Sequence, residues 1–129
     1  ALGSLPGVTF MPESTFESAE SRANRWLSVV TIDRQHFGVD PETVRLALDA
    51  ENIEARPVCK PMHQQPVFRR SDAIGGSVAD DLFAHGLCLP SGSSLTLAEQ
   101  DRVIDVVRAC CVSILRRSRP TLHPSLSAA

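Results

Sequence analysis

Trp26-Leu27-Ser28-Val29-Val30-Thr31-Ile32 (WLSVVTI) is the stretch on which the fold turns. Val29, Val30, Thr31 and Ile32 are consecutive β-branched residues, which crowd a helix and suit a pleated surface, so a strand is predicted. Downstream, Asp33 to Asp40 reads as a loop containing Gly38. Asp40-Pro41-Glu42 then opens a helix: Asp caps it, Pro fits the first turn, and Glu favours the positive end of the dipole. That helix is expected to run to about Glu51, with Asn52 as a left-handed stop. Ile53 to Val58 returns as a second strand, and Pro57 places it at a sheet edge or strand end.

Lys60 to Gly76 reads as a long loop with Pro61, Pro66 and a Gly-Gly pair, and loops of that length in compact domains are usually functional. Ser77 is expected to cap a short helix ending at His85, with Gly86 as its stop, and Leu87 to Leu89 form a third strand. Thr96-Leu97-Ala98-Glu99 matches a capping box. It opens the longest helix, expected to reach about Arg117, with Val103, Ile104, Val106, Val107, Cys110, Ile114 and Leu115 covering a broad apolar face. Residues 118 to 129 read as a disordered tail. Upstream, residues 1 to 23 contain Pro6, Gly7, Pro12 and the polar stretch Glu13 to Arg22. They read as a connector cut away from something upstream, with nothing that would nucleate a core. An opening at Ala1 agrees with processing or truncation. The order β-α-β-α-β-α in residues 24 to 117 predicts one α/β (α+β) domain. Its small three-stranded sheet, antiparallel or mixed, has helices over one face.

At 129 residues, with 43% hydrophobic and 22% charged residues, the chain has the size and composition of one globular domain. A chain of this length buries roughly two-thirds of its unfolded surface, enough for a core. The net charge of -2 argues against a nucleic-acid or anionic-lipid partner. The one basic cluster, Arg116, Arg117 and Arg119, complements a helix C-terminus. No apolar run approaches the ~20 residues of a membrane span, and no leader pattern is recognisable, so the cytoplasm is expected. Four cysteines fit that compartment as reduced thiols.

Lys60 is the only lysine, against twelve arginines, so any Schiff-base chemistry through a lysine side chain would have to use it. No glycine-rich phosphate cradle precedes it and no carboxylate partner for a pyridine nitrogen is assignable, so it reads as a substrate-contacting or solvated cation. Cys59-x3-His63 and His85-x2-Cys88 offer the atoms of a tetrahedral zinc site with imperfect spacing. Cys59 beside His63 offers a thiol and a base without a nucleophile turn. A buried structural thiol is the commoner reading of Cys88, and His36 and His123 read as solvated. Trp26, opening a strand, is expected to pack into the core more often than to stack on a sugar.

The segment Arg56-Pro57-Val58-Cys59-Lys60-Pro61-Met62-His63-Gln64-Gln65-Pro66-Val67-Phe68 resembles the RPxWKPMHxQPxF signature of the DegT/DnrJ/StrS sugar aminotransferases. Asn24-Arg25-Trp26-Leu27 is similar to the NRWL that enters that family's first C-terminal strand. Gly86 to Ser93 (GLCLPSGS), with Leu95-Thr96 and Glu99-Gln100, is similar to the segment entering its last helix. The resemblance spans about residues 24 to 108 and departs at Cys59, where the signature commonly has tryptophan.

The resemblance implies the C-terminal small domain of a fold-type-I aminotransferase dependent on pyridoxal phosphate. In the family, a large N-terminal domain carries the Schiff-base lysine, the aspartate at the pyridine nitrogen and the phosphate cup. None of these motifs occurs here, so no catalytic, cofactor-binding or metal residue is assigned and no cofactor is expected for this chain alone. Relatives move an amino group, usually from glutamate, to a nucleotide-linked keto-sugar, and work as dimers. By position, Lys60, Met62 and His63 would face the substrate, with Asn24 and Arg25 near it. The resemblance also implies inactivity in isolation. The expected partner is a separately encoded large domain, or a second copy meeting an exposed apolar patch. A non-enzymatic relic or interaction domain is the alternative.

Overall fold

The computed structural model describes residues 1–12, 24 and 26–111. Its centre is a four-stranded antiparallel sheet in the order β1-β2-β4-β3. The strands are β1 (Val8–Phe10), β2 (Ser28–Ile32), β3 (Arg56–Pro57) and β4 (Gly86–Leu89). The helices are α1 (Arg34–Phe37), α2 (Pro41–Ala50), α3 (Ser77–His85) and α4 (Leu97–Cys110). The expected α/β class and helix-covered sheet hold. The sheet has four strands rather than three, and every pairing is antiparallel.

The register explains the layering. Val30 lies opposite Leu87, and Ile32 opposite Val8, so these four side chains share one face. All four are buried. Helices α2 and α4 pack on each other, and α2 lies against β3 and β4. Val44 and Leu48 of α2 and Val103 and Val107 of α4 join the same core. Helix α3 contacts β2 and β4, and its Asp81 and His85 share a cleft with Thr9 and Thr31 of the alternate face.

The opening segment corrects the reading of residues 1 to 23 as devoid of core residues. Leu2, Leu5 and Val8 are buried in the main cluster, and Val8 to Phe10 form the edge strand. Gly7 makes this docking possible. Its φ is +76°, and a Cβ there would lie 2.7 Å from the backbone of both Asp33 and Phe37. Asp33 N–H donates to the Gly7 carbonyl at 2.8 Å.

Local capping chemistry sets the helix ends. Asp40 accepts from Thr43 N–H at 2.8 Å, Pro41 occupies the first turn, and Asn52 adopts φ 57° after α2. The capping box of α4 is complete, since Glu99 accepts from Thr96 N–H at 2.8 Å and Thr96 Oγ1 from Glu99 N–H at 3.3 Å. Residues 33 to 40, expected as a loop, contain α1, capped by Asp33 and closed by Gly38. It buries Phe37 completely. The N-cap of α3 is Gly76, with Ser77 as first helical residue and no side-chain cap. The second strand shrinks from the expected Ile53 to Val58 to Arg56–Pro57, at the edge that Pro57 requires. Helix α4 closes at Cys110 with Cys111 extended, short of Arg117. Residues 112 to 129, including the expected tail and basic cluster, lie outside the described residues.

Candidate functional site

The loop from Lys60 to Gly76 is a run of tight turns. Two single 3₁₀ turns, Met62–Gln64 and Pro66–Phe68, follow Pro61 and Gln65. Backbone bonds from Gln64 N–H to Pro61, Gln65 N–H to Met62 and Phe68 N–H to Gln65, each 3.0 Å, close them. Pro61 is buried and anchors the start. Gln65 Nε2 donates to the Lys60 carbonyl at 3.3 Å, so backbone and side chain together fix the loop's first half.

His63 carries the loop's connection to the rest of the fold. Its Nε2 lies 2.6 Å from Asp80 Oδ1, in the first turn of α3. Gln64 Nε2 donates to the same oxygen, also at 2.6 Å. Gly76 backs the imidazole, because a Cβ there would stand 2.8 Å from His63 Cε1. Met62, His63, Phe68, Ser71, Asp72 and Ile74 line an open cavity of about 330 Å³.

Among the residues singled out from sequence, Met62 and His63 meet in this cavity. Lys60 is solvent-exposed and is not among its lining residues. Asn24 stands apart, at the entrance to β2, where its Oδ1 accepts from Trp26 N–H at 3.1 Å. That geometry is an Asx turn. Arg25 lies outside the described residues. Trp26 is 79% exposed, which corrects its expected core role: β2 begins at Ser28, and the indole precedes the buried register. Asp80, Gln64 and Gly76 were not singled out. Asp80 is 17 residues from His63, and nothing in local spacing signals that contact.

The rival chemistries find little support in the geometry. Among the described residues no group of three or more potential metal ligands forms. His63 bonds Asp80, whereas His85 bonds Asp81 at 3.0 Å on α3, so the two imidazoles belong to different clusters. Burial, followed by the nearby Cys59, pushes the Cys88 thiol up, in keeping with its reading as a structural thiol.

A sheet with this order and helical cover defines the class: its structural neighbours are fold-type-I aminotransferases. The DegT/DnrJ/EryC1/StrS aminotransferase family model matches residues 1–108, and the chain belongs to that family. It is 49% identical over 111 residues to EpsN of Bacillus subtilis (strain 168), assigned to the pyridoxal phosphate-dependent aminotransferases. That match covers 83% of this chain and 27% of EpsN. It is 42% identical over 57 residues to GDP-perosamine synthase of Caulobacter vibrioides, covering 44% of this chain and 15% of the synthase. Among solved structures, DesI in the presence of its TDP-sugar product superposes with a TM-score of 0.72 at 25% identity. The superposition covers 90% of this chain and 29% of DesI. DesV of S. venezuelae, in complex with a ketimine intermediate, gives 0.64 at 28% identity, covering 84% of this chain and 27% of DesV. The chain thus spans about a quarter or less of the length of the curated relatives it matches.

Pyridoxal phosphate needs a lysine for its Schiff base, a carboxylate at the ring nitrogen and donors around its phosphate. The single lysine of this chain lies on an exposed loop, whereas Schiff-base lysines are activated by desolvation or a cationic neighbour. Lys60 does not fit as the residue that holds the cofactor.

Proposed function

We propose that this chain forms the small-domain part of a pyridoxal-phosphate-dependent aminotransferase acting on nucleotide-linked keto-sugars, and that it is inactive alone. The observation carrying this reading is the family match over residues 1–108, reinforced by 49% identity to EpsN. Two relatives act on or bind nucleotide sugars, GDP-perosamine synthase and DesI with its TDP-sugar product. In the assembled enzyme a large domain supplies cofactor and Schiff-base lysine, while this chain walls the sugar site. Lys60 attracts substrate phosphate by charge, His63 orients the sugar by hydrogen bonding, and Met62 gives apolar contact. By their position in the family's sequence pattern, Asn24 and Arg25 would also approach the substrate. The proposed compartment is the cytoplasm; among the described residues no helix is long and apolar enough to cross a membrane.

The test is complementation with a polypeptide covering the remaining length of EpsN. Together the two should develop a cofactor absorbance band and transfer an amino group from glutamate to a nucleotide-linked keto-sugar. Turnover of an amino donor by this chain alone with pyridoxal phosphate would overturn the proposal.

A second reading, a self-associating or protein-binding domain without catalysis, draws on exposed apolar residues. Val67 is 77% exposed, Val78 73%, and Ile74 fully so. Sedimentation at rising concentration tests it: a dimer that leaves complementation inert favours this reading, and a monomer removes its self-associating form.

A further inference from the structure

Three His–Asp pairs occur among the described residues, and they differ in kind. His36 with Asp33 and His85 with Asp81 are separated by three and four residues and lie on exposed surface. Such local pairs carry little stability. His63 with Asp80 joins two elements that chain continuity does not hold together, and its imidazole is only 30% exposed. Asp80 sits on a regular turn, its N–H bonding the Gly76 carbonyl at 2.9 Å. The carboxylate therefore projects from a regular first turn of α3. Gln64 converges on the same Oδ1, and Gly76, with φ +109°, leaves room for the ring where any Cβ would collide.

An ionised carboxylate only accepts hydrogen bonds, so the imidazole nitrogen facing it must carry a proton. We propose that Asp80 is a positioning residue for His63, holding the ring proton on Nε2 and leaving Nδ1 as an acceptor toward a ligand donor such as a sugar hydroxyl. The assignment of Asp80 rests on contacts within this chain. The sugar hydroxyl rests on the function proposed above. In that tautomer the neutral ring presents Nδ1 as an acceptor for a hydroxyl or amine N–H and has no proton there to give a phosphate oxygen.

The decisive experiment is NMR on the full chain with ¹⁵N-labelled histidine, at a pH where His63 is neutral. Wild type should show one ring tautomer, with a solvent-protected Nε2–H. Asp80→Ala should lose that protected proton and populate both tautomers, while Asp80→Asn, which keeps an acceptor oxygen, should restore much of the protection. Sheet and α4 amide resonances report whether each variant is folded. Should Asp80→Ala fail to fold, wild type and Asp80→Asn alone decide. A ring proton on Nδ1 in wild type overturns the proposal, as does protection that survives in folded Asp80→Ala. In the complemented enzyme, Asp80→Ala should raise KM for the sugar roughly fivefold to tenfold with a smaller change in kcat. An enzyme that never forms leaves the ring result intact and counts against the proposed function, so the two failures are told apart.

Discussion

Helices α3 and α4 have nearly the same apolar content and opposite fates. Helix α3 carries Val78, Ala79, Leu82, Phe83 and Ala84 in nine residues, yet none of its residues is buried. Helix α4 carries more apolar residues over more length and buries Val103 and Val107. The difference is what each helix faces. Helix α4 meets α2 and the 3₁₀ turn Leu2–Ser4, and its apolar face enters the shared core. Helix α3 touches β2 and β4 but leaves Val78 to solvent. Apolar content alone therefore does not decide burial; a facing surface does. On the proposed reading, the loop and α3 form the side that the rest of the enzyme completes.

If that contrast is sound, substitutions on the two sides should differ sharply. The largest loss is expected from Phe37→Ala, since this ring of α1 is fully buried in the main core. Urea unfolding should show a loss of about 3–5 kcal/mol. A loss near zero would mean that the core side is no more solid than α3. Gly76→Ala comes next, forcing an alanine to φ +109° and its Cβ into His63. It should destabilise by about 1–3 kcal/mol and, in the histidine spectra, release the Nε2 proton. Thr96→Ala removes one half of the α4 capping box and should lose about 1 kcal/mol by thermal or urea melts.

A smaller effect follows from acidification. Bonds from the Thr96 backbone N–H and hydroxyl hold the Glu99 carboxyl below its ordinary value, and bonds from the Thr43 hydroxyl and N–H do the same for Asp40. A depressed folded pKa means that the unfolded chain binds the proton more tightly. The associated stability is then present above the unfolded carboxylate range and is lost as pH falls through the folded values. Melting temperature should decline on acidification below about pH 4, and less in Thr96→Ala than in wild type. The smallest effect is expected at Ile74→Ala, whose side chain is fully exposed; stability should shift by less than about 0.5 kcal/mol. A large loss there would place Ile74 in a contact between copies of the chain.

These sites also mark where sequence reasoning succeeds. Asp40, Asn52 and the Thr96–Glu99 pair act on backbone groups within four residues, so their chemistry is complete in the local string. The family signature likewise located the loop and two of its cavity-lining residues, Met62 and His63. Strand β1 escaped because Val8-Thr9-Phe10 is too short to show a period, and only its pairing with β2 makes it a strand. Trp26 was misplaced because its propensity suits a strand interior while the register starts two residues later. The Asp80 contact needed the folded chain, since α3 and the loop meet through tertiary placement alone.

The strand order bears on how this chain reaches its fold. The central pair, β2 and β4, brings Val30 against Leu87 from opposite halves of the chain. Each edge strand attaches to one member of that pair, β1 only to β2 and β3 only to β4, so β2–β4 contact is what joins the two halves into one sheet. Closing so long a loop to form the central ladder makes that step slow compared with a sheet built from hairpins. Helix α2, capped by nearby residues, can form before that closure. On a ribosome the four-stranded sheet must wait for GLCL (Gly86 to Leu89) to emerge, so a chain stopped short of Gly86 would have at most the β1–β2 ladder, without the strand that joins it to β3.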